Sequence, residues 1–450
     1  MATDTAHIRE IAGPNPAPAT LRPSTPLAGF CLSVDACRSC GSGALDQVMD
    51  FGELYISDFV HKNEVGVKAP LEIMRCAACG LVQTHHTINP DLLFRVYHYR
   101  SGTNPAMRAA LDDVVASALQ FVKLEPGDAV LDIGANDGTL LACYPERVEK
   151  WAVEPAAGIN AGALRSALMG VTDNILPYYW PLENEAFLDP SAKQMRPGKR
   201  QFKVITSVAA GLYHTDDPNG FVAAIKRNLH PDGVWVLQLQ DEGSVLRDTA
   251  LDYFCHEHVA LWGRRSLMAL LHRHGLAVQA SDENRVNGGS IRLVISHGGA
   301  WSNGEWLPGG PALSDWQNFA TKATERRSQA YHRLNEPLEV VLGVAASTKA
   351  NTLLQWYGLG PEWIQAIVDV DPDKIGRFTV GSRIPIISEA EAAAMHPDLY
   401  VALAWHFLDG LRRRAPDVPF LTLLPGVKEY PPFNSHNYSH WASMPDGSML

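Results

Sequence analysis

Three groups of residues in this sequence have the types and spacing to do chemistry. Four cysteines form two C-x-x-C pairs, and a glycine follows each pair. A polar stretch with two glycines, residues 132–138, follows an apolar run, and a His-Glu-His segment occupies residues 256–258. These groups are typical of a metal site, a nucleotide-like cofactor site and acid–base catalysis, respectively.

The cysteine pairs predict one structural Zn²⁺ per chain, held by Cys37, Cys40, Cys76 and Cys79. Four thiolates complete a tetrahedral zinc shell and leave no open position for a reaction. Redox-active or free thiols are the alternative for the same residues. The chain has seven cysteines, an odd number with four in these pairs, which favours metal over disulfides and a cytoplasmic location.

The stretch from Ala129 to Leu141 predicts a strand, a tight turn and the start of a helix. Its spacing is not G-x-G-x-x-G, which argues against an NAD-linked dehydrogenase. The motif Asp-x-Gly-x-Asn-Asp-Gly resembles the first motif of class I S-adenosylmethionine (SAM) methyltransferases, and this resemblance implies a SAM site. A plain strand-turn-helix without a ligand is the alternative.

Glu154 ends the next predicted strand, 20 residues after Gly134. A carboxylate at this distance is typical of one that accepts hydrogen bonds from ribose hydroxyls. Two later strands end near Ser207 and Gln240, and parallel strands bring their carboxyl ends to one crevice. The predicted cofactor-binding residues are Asp132, Gly134, Asn136, Asp137, Gly138, Glu154 and Ser207.

The His-Glu-His segment predicts acid–base catalysis, because an imidazole titrates near neutral pH and a neighbouring carboxylate can raise its basicity. If the segment is extended, His256 and His258 share one face while Cys255 and Glu257 share the other. A helical zinc pair needs histidines four residues apart, so a metal site is disfavoured. Purely structural histidines are the remaining alternative.

The rest of the chain supplies the elements that position these residues, and its alternating strands and helices indicate parallel α/β sheets. We expect a flexible, Ala- and Pro-rich tail over residues 1–30 and a small zinc-binding domain over 31–95. A SAM-binding, Rossmann-like methyltransferase domain follows over 96–300. A helical connector (301–337) then leads to a C-terminal Rossmann-like α/β domain (338–450).

Loops between these elements offer further binding residues. Residues 97–104 are dense in polar and aromatic side chains, although interdomain packing uses the same types. Lys349 and Asn351 follow a strand and could bind an anion at a helix N-terminus; a structural repeat without a ligand is equally compatible. His406 lies at the polar end of a later strand, and Asn287 lies in a glycine turn that could be a simple hairpin.

The composition is that of a soluble globular protein of 450 residues, 46% hydrophobic and 19% charged. The formal net charge of −11 argues against nucleic acid as a partner, because such binding needs a basic face. No apolar run reaches the ~18 residues that span a bilayer, and MATDTAHIRE lacks the pattern of a signal peptide. We expect a small-molecule substrate and no membrane partner; the oligomeric state does not follow from the sequence.

The order of motifs resembles that of the zinc-containing, three-domain SAM-dependent C-methyltransferases of deoxysugar biosynthesis. The resemblance covers about residues 31–430 and is carried by the cysteine knuckles, DFGELYISDF, CGLVQ, DIGANDGTLL, HEH, NGGSIR and AASTKANTLLQWYG. It implies methylation of a nucleotide-linked 4-keto-6-deoxy sugar at the carbon next to the ketone. The alternatives are O- or N-methylation of a sugar or related natural-product intermediate, and a non-catalytic nucleotide-binding protein.

By the same resemblance, His258 matches the family's catalytic histidine, Glu257 the adjacent acid and Tyr97 a tyrosine near the substrate. A proton next to a ketone is acidic enough for a positioned base, and the resulting enolate needs nearby hydrogen-bond donors. We expect His258 to act as the general base and Glu257 to orient its imidazole. His256 or Tyr97 would stabilise the enolate.

The sequence departs from this family at two positions. Cys255 stands where tyrosine is usual, and Arg100 stands where histidine is usual. The arginine could instead hold an anionic group by its bidentate fork. The predicted substrate-binding residues are Tyr99, Arg100, Asn104, Cys255, Asn287, Lys349, Asn351 and His406.

Overall fold

The computed structural model describes residues 30–94, 100–157, 162–181, 200–298 and 310–433. The tail predicted over residues 1–30 lies outside these ranges except for Phe30, and so do Tyr97 and Tyr99. Within the described residues the chain forms three domains in the predicted order.

The N-terminal domain is a small antiparallel β unit. Its elements are β1 (Cys31–Ser33), β2 (Leu45–Tyr55), β3 (Phe59–Val60), β4 (Lys68–Cys76), β5 (Val82–Thr84), β6 (His86–Ile88) and α1 (Pro90–Phe94). Fully buried residues alternate with more exposed ones along β4, as expected for a strand with one face on the core. Strands β2, β4 and β5 pair in that order, and residues 260–261 of the next domain add a fourth strand.

The central domain is built on a seven-stranded sheet. Its elements are α2 (Pro105–Leu119), β7 (Ala129–Ile133), α3 (Thr139–Ala142), β8 (Glu149–Val153), α4 (Ala163–Met169), β9 (Asn174–Leu176), β10 (Phe202–Val208), α5 (Pro218–Asn228), β11 (Leu229–Gln240), α6 (Glu242–Asp248), β12 (Ala260–Leu261), α7 (Arg264–Arg273), β13 (Leu276–Asn284) and β14 (Ser290–His297). The sheet order is β13-β14-β11-β10-β7-β8-β9, parallel except for β14, which is antiparallel to both neighbours. This confirms the predicted Rossmann-like α/β fold.

Successive residues of the central strands pack on opposite faces of this sheet. Leu131 lies in one core with α5 and α7, whereas Val130 lies in another with α2 and α3. The sheet order reverses between β7 and β10, where Thr206 pairs with Asp132. In such sheets a ligand binds in the crevice outside the strand carboxyl ends at this switch point.

The C-terminal domain follows a long helix, α8 (Leu313–Leu334), within the predicted connector. Its elements are β15 (Val341–Val344), α9 (Thr348–Tyr357), β16 (Ala366–Val368), β17 (Phe378–Thr379), β18 (Ile386–Ile387), α10 (Glu389–Ala394), β19 (Leu399–Ala402), α11 (Leu408–Arg414), β20 (Phe420–Thr422) and β21 (Lys428–Tyr430). Its sheet, β18-β16-β15-β19-β20-β21, is parallel except for β21. Among the described residues, no helix is long and apolar enough to cross a membrane.

The zinc-binding domain packs against both other domains. Strand β3 pairs with β17, and the side-chain amide of Gln355 exchanges hydrogen bonds with the backbone of Tyr55. One hydrophobic cluster contains Phe51 of the first domain, Phe254 of the second and Leu353 of the third. Side chains from all three domains can therefore meet at one site.

Candidate active site and zinc site

The four predicted zinc ligands converge. Their sulfur atoms all lie within 4.8 Å of one another, with 3.5 Å between Cys37 and Cys79 and 3.6 Å between Cys40 and Cys76. Sulfurs bound at about 2.3 Å to a tetrahedral zinc are about 3.8 Å apart, so the cluster has the size of a zinc site.

The local chemistry also fits a divalent cation. Gly41 and Gly80 adopt left-handed φ angles of +73° and +83°, which let each knuckle turn tightly. The sulfurs of Cys37 and Cys79 share one hydrogen bond, which lowers the pKa of Cys37 to about 5 and raises that of Cys79. A bound Zn²⁺ would displace the proton that these two sulfurs share, because it stabilises all four thiolates.

The glycine loop after β7 has the sharp turn that the sequence predicts. Gly134 adopts a φ of +76°, and a Cβ there would lie 2.4 Å from the Cβ of Ala210. Gly138 (φ +81°) and Asn136 (φ +50°) are also left-handed. Asn136 and Asp137 accept hydrogen bonds from the backbone N–H groups of residues 101 and 102, which ties that segment to the loop.

Glu154 connects the glycine loop to the end of β8. Its carboxylate accepts hydrogen bonds from the N–H groups of Asn136 and Ala156, both at 2.9 Å. Burial raises the pKa of Glu154, and these N–H groups and the charge of Arg100 oppose the rise. A carboxylate has about four lone-pair sites, so capacity remains for ribose hydroxyls. Arg100, predicted to bind substrate, therefore lies on the cofactor side of the crevice.

Two predicted cofactor residues are buried within the sheet. Asp132 accepts a hydrogen bond from the hydroxyl of Thr206 at 2.6 Å, and burial raises the pKa of Asp132 to about 7. Ser207 is fully buried, and its hydroxyl accepts from the ring N–H of Trp235 at 3.0 Å. β10 continues to Val208 and keeps Ser207 inside the strand, and a cofactor contact of Ser207 stays a prediction.

The His-Glu-His segment forms a turn, in which the N–H of His258 donates to the carbonyl oxygen of Cys255 at 3.1 Å. The turn brings the ligand atoms of Cys255, Glu257 and His258 within 4.8 Å of one another. The ring of His256 is directed to the zinc-binding domain, where Nε2 lies 3.1 Å from the carbonyl oxygen of Ala69. The segment is therefore not extended, and His256 and His258 do not share one face; a role for His256 at an enolate stays a prediction.

His258 is held as a neutral imidazole with one nitrogen free to accept a proton. Its Nδ1 lies 2.6 Å from the carbonyl oxygen of Tyr253; because a carbonyl only accepts, Nδ1 carries the hydrogen and Nε2 the lone pair. Burial, with smaller effects of His214 and Lys349, lowers the pKa of His258 well below its usual value. The group that orients this ring is the Tyr253 carbonyl, which corrects the expectation for Glu257.

Burial keeps the two neighbours of this histidine protonated. It raises the pKa of Glu257 to about 8, against a hydrogen bond from Thr348, and it also raises the pKa of Cys255. The three ligand atoms are close enough to hold a cation, which would have to displace both of these protons. With the protons in place, the arrangement is suited to acid–base chemistry, with Glu257 as a hydrogen-bond donor.

The structure adds an imidazole that the sequence reasoning missed. His214 stacks on His258 with 5.4 Å between ring centroids and 22° between ring planes, and Tyr213 packs edge-on against His258 at 4.9 Å. Burial lowers the pKa of His214 to about 3. Its position in the loop after β10, at the switch point of the sheet, was the available signal.

The C-terminal domain contributes a buried lysine, Lys349, whose pKa is lowered by burial while Asp252 and Cys255 oppose the change. Nζ of Lys349 donates to Oε1 of Gln240 at 2.7 Å, and its charge acts on Asp252, Cys255 and His406. Near Lys349 and His258, four buried polar atoms have no hydrogen-bond partner within the described part of the chain: His214 Nε2, Asp252 Oδ1, Glu257 Oε2 and His406 Nδ1. Buried polar atoms are normally paired, so this cluster marks the candidate substrate site.

Three other predicted substrate residues contribute to the fold. Asn104 caps α2 by accepting a hydrogen bond from the N–H of Ala106 at 2.9 Å. Asn351 is fully buried, and its amide donates to the carbonyl oxygen of Asp58 at 3.0 Å; anion binding by Asn351 stays a prediction. Asn287 adopts a left-handed φ of +55° in the turn before β14.

Comparisons with known proteins agree with this architecture. A zinc binding domain model matches residues 37–94, a methyltransferase domain model matches 105–281, and a C-methyltransferase C-terminal domain model matches 285–419. The C-methyltransferase NovU of Streptomyces niveus is 26% identical over 394 residues, which cover 83% of this chain and 90% of that protein.

Two solved structures resemble part of the chain. A SAM-dependent methyltransferase from Clostridium acetobutylicum ATCC 824 is 14% identical, covers 43% of this chain and 92% of its own, and has a TM-score of 0.31. The magnesium protoporphyrin IX methyltransferase ChlM from Synechocystis PCC 6803 is 10% identical. The match covers 42% of this chain and 79% of that protein, with a TM-score of 0.29. From the three consecutive family matches, the chain belongs to the zinc-containing, three-domain C-methyltransferases that use SAM.

Proposed function

We propose that this enzyme methylates a nucleotide-linked keto-deoxysugar at the carbon next to the ketone, with His258 as the general base. The observation that carries the proposal is the 2.6 Å distance between Nδ1 of His258 and the carbonyl oxygen of Tyr253. Its Nδ1 hydrogen is committed to the Tyr253 carbonyl, so the Nε2 lone pair is available next to a cluster of unpartnered polar atoms.

The proton taken by His258 leaves an enolate on the acceptor, and that charge needs a partner. Lys349 supplies a buried ammonium whose charge acts on His258, and Glu257, protonated below a pKa of about 8, supplies a donor. An imidazolium beside an ammonium is unfavourable, but an enolate between them offsets the repulsion. These residues replace His256 in the predicted role; Tyr97 lies outside the described residues and stays a candidate.

On the cofactor side, the glycine loop and Glu154 would hold the donor. SAM, when bound, supplies an electrophilic methyl group. Gly134 and Gly138 allow close backbone approach, and the Glu154 carboxylate accepts hydroxyl hydrogens. Arg100, near Glu154, supplies a positive charge for an anionic group at this end.

Deuterium exchange at the carbon next to the ketone tests the proposal. With candidate nucleotide keto sugars in D₂O, the wild-type enzyme should exchange that hydrogen, and His258→Ala should abolish exchange while SAM still binds by calorimetry. Exchange that persists in His258→Ala would refute the assignment of the base. Transfer of the methyl group to oxygen or nitrogen, seen in product spectra, would favour O- or N-methylation.

A further inference from the structure

We propose that the zinc-binding domain positions the stacked imidazoles His214 and His258, and that Arg38 is the residue through which the zinc knuckle does so. The catalytic consequence rests on the proposed function, since it takes His258 as the base. Arg38 would be a positioning residue, because it touches the loop that carries His214 and not the reacting atoms.

Arg38 lies between the zinc ligands Cys37 and Cys40, and its charged side chain is only 2% exposed. Its Nε donates to the carboxylate of Asp216 at 2.8 Å. Its remaining N–H groups donate to oxygens of the zinc-binding domain: Thr84, His86 and Thr87. A buried guanidinium whose three nitrogens all donate hydrogen bonds fixes the position of its partner more tightly than a single hydrogen bond does.

The backbone of the knuckle is also tied to the central domain. The amide of Asn219 donates to the carbonyl oxygens of Arg38 at 3.3 Å and Ser39 at 2.9 Å. Arg273, at the end of α7, donates to the same Ser39 oxygen at 2.6 Å. The turn that binds zinc is therefore held against the start of α5 and the end of α7.

The contacts of Arg38 lead to the first imidazole. Asp216 lies two residues after His214, in the loop between β10 and α5. The His214 ring also contacts Phe94 of the zinc-binding domain, at 4.9 Å between centroids. The zinc-binding domain thus holds this loop by an ion pair and His214 itself by a ring contact.

The second imidazole is held from the same domain. The turn that carries His258 continues into β12, which pairs with β5. The N–H of Thr84 donates to the carbonyl oxygen of Val259 at 3.0 Å, and His256 contacts Ala69 on the other side. Thr84 also accepts a hydrogen bond from Arg38, so one short segment of the zinc-binding domain is bonded both to the residue after His258 and to the arginine that holds Asp216.

Arg38→Ala should loosen the His214 loop without removing zinc or the SAM site. In hydrogen–deuterium exchange, backbone exchange over residues 209–217 should rise and exchange over 129–141 should stay unchanged. Zinc content should remain one per chain, SAM affinity should be unchanged, and kcat should fall about 10- to 100-fold, the effect of a small misplacement of catalytic groups. Arg38→Lys, which keeps the charge, should restore part of the loss.

Arg75→Ala is the matched control, because Arg75 is a buried arginine of the same domain that donates to the carbonyl oxygen of Pro311. It should leave exchange over 209–217 unchanged. Unchanged exchange there in Arg38→Ala with zinc retained would overturn the proposal, as would an equal rise in Arg75→Ala. If Arg38→Ala does not fold, Asp216→Asn applies the same test from the other partner. The exchange readout needs no acceptor, so it decides this proposal even if no keto sugar is a substrate.

Discussion

His214 and His258 are 44 residues apart in the sequence, yet their rings stack at 5.4 Å between centroids with 22° between planes. Burial lowers the pKa of both, and each ring is therefore neutral near pH 7. The uncharged ring of His214 therefore lies beside His258, whose Nε2 is proposed to take a proton. Because the two rings come from separate loops, the geometry of the site depends on the positions of both loops.

Replacing the two histidines of the His-Glu-His segment should have different effects. His258→Ala should lower kcat by about 10²- to 10⁴-fold, the usual contribution of a general base. His256→Ala should instead lower stability by about 1–3 kcal/mol, because it leaves the buried Ala69 carbonyl without its partner. Steady-state kinetics and urea unfolding measure both. A larger kcat loss in His256→Ala would contradict the assignment.

In the pH profile of kcat/KM, the acid limb should lie well below pH 6.5, and an alkaline limb should lie near pH 8. His258 is the base only above its own pKa, and burial lowers that pKa, so activity should persist well below pH 6.5. Once the pH exceeds the Glu257 pKa of about 8, Glu257 ionises and can no longer donate a hydrogen bond. Glu257→Gln retains a donor that does not titrate and should lack the alkaline limb. An unchanged limb in this variant would assign it to another group.

Removing the ammonium of the C-terminal domain should impair catalysis more than cofactor binding. Lys349→Met should lower kcat by about 10²- to 10³-fold, in the range of losing one donor to a developing oxyanion. Lys322→Met, on an exposed part of α8, is the control for loss of one positive charge. Calorimetry should find SAM affinity unchanged in both variants. A loss of SAM affinity with kcat unchanged would place Lys349 at the cofactor instead.

Metal analysis should find one zinc per chain, and its removal should destabilise the folded chain. The free energy of zinc binding is available to the fold because the four thiolates meet only in the folded state. Cys76→Ser should lower both the zinc content and the melting temperature, whereas Cys31→Ser, outside the cluster, should leave zinc content unchanged. Equal zinc in both variants would exclude the four-thiolate site.

The sequence by itself determined the units that depend on near neighbours. The C-x-x-C knuckles and the glycine turn after β7 are local patterns, and each has the predicted geometry. Glu154 lies at the predicted strand end and accepts hydrogen bonds from backbone N–H groups, and its contact with ribose hydroxyls stays a prediction. The alternation of strands and helices likewise determined both α/β sheets, because the sheet order follows from short right-handed connections.

Only the tertiary structure decided which side chains share the active site. Whether His256 or His214 lies beside His258 depends on a turn and on packing between chain segments far apart in sequence. Lys349 reaches this site because the C-terminal domain packs onto the central one, and the His256 ring lies away from it because the ring is directed to the zinc-binding domain. Protonation states follow from burial, a property of the assembled fold that no local pattern encodes.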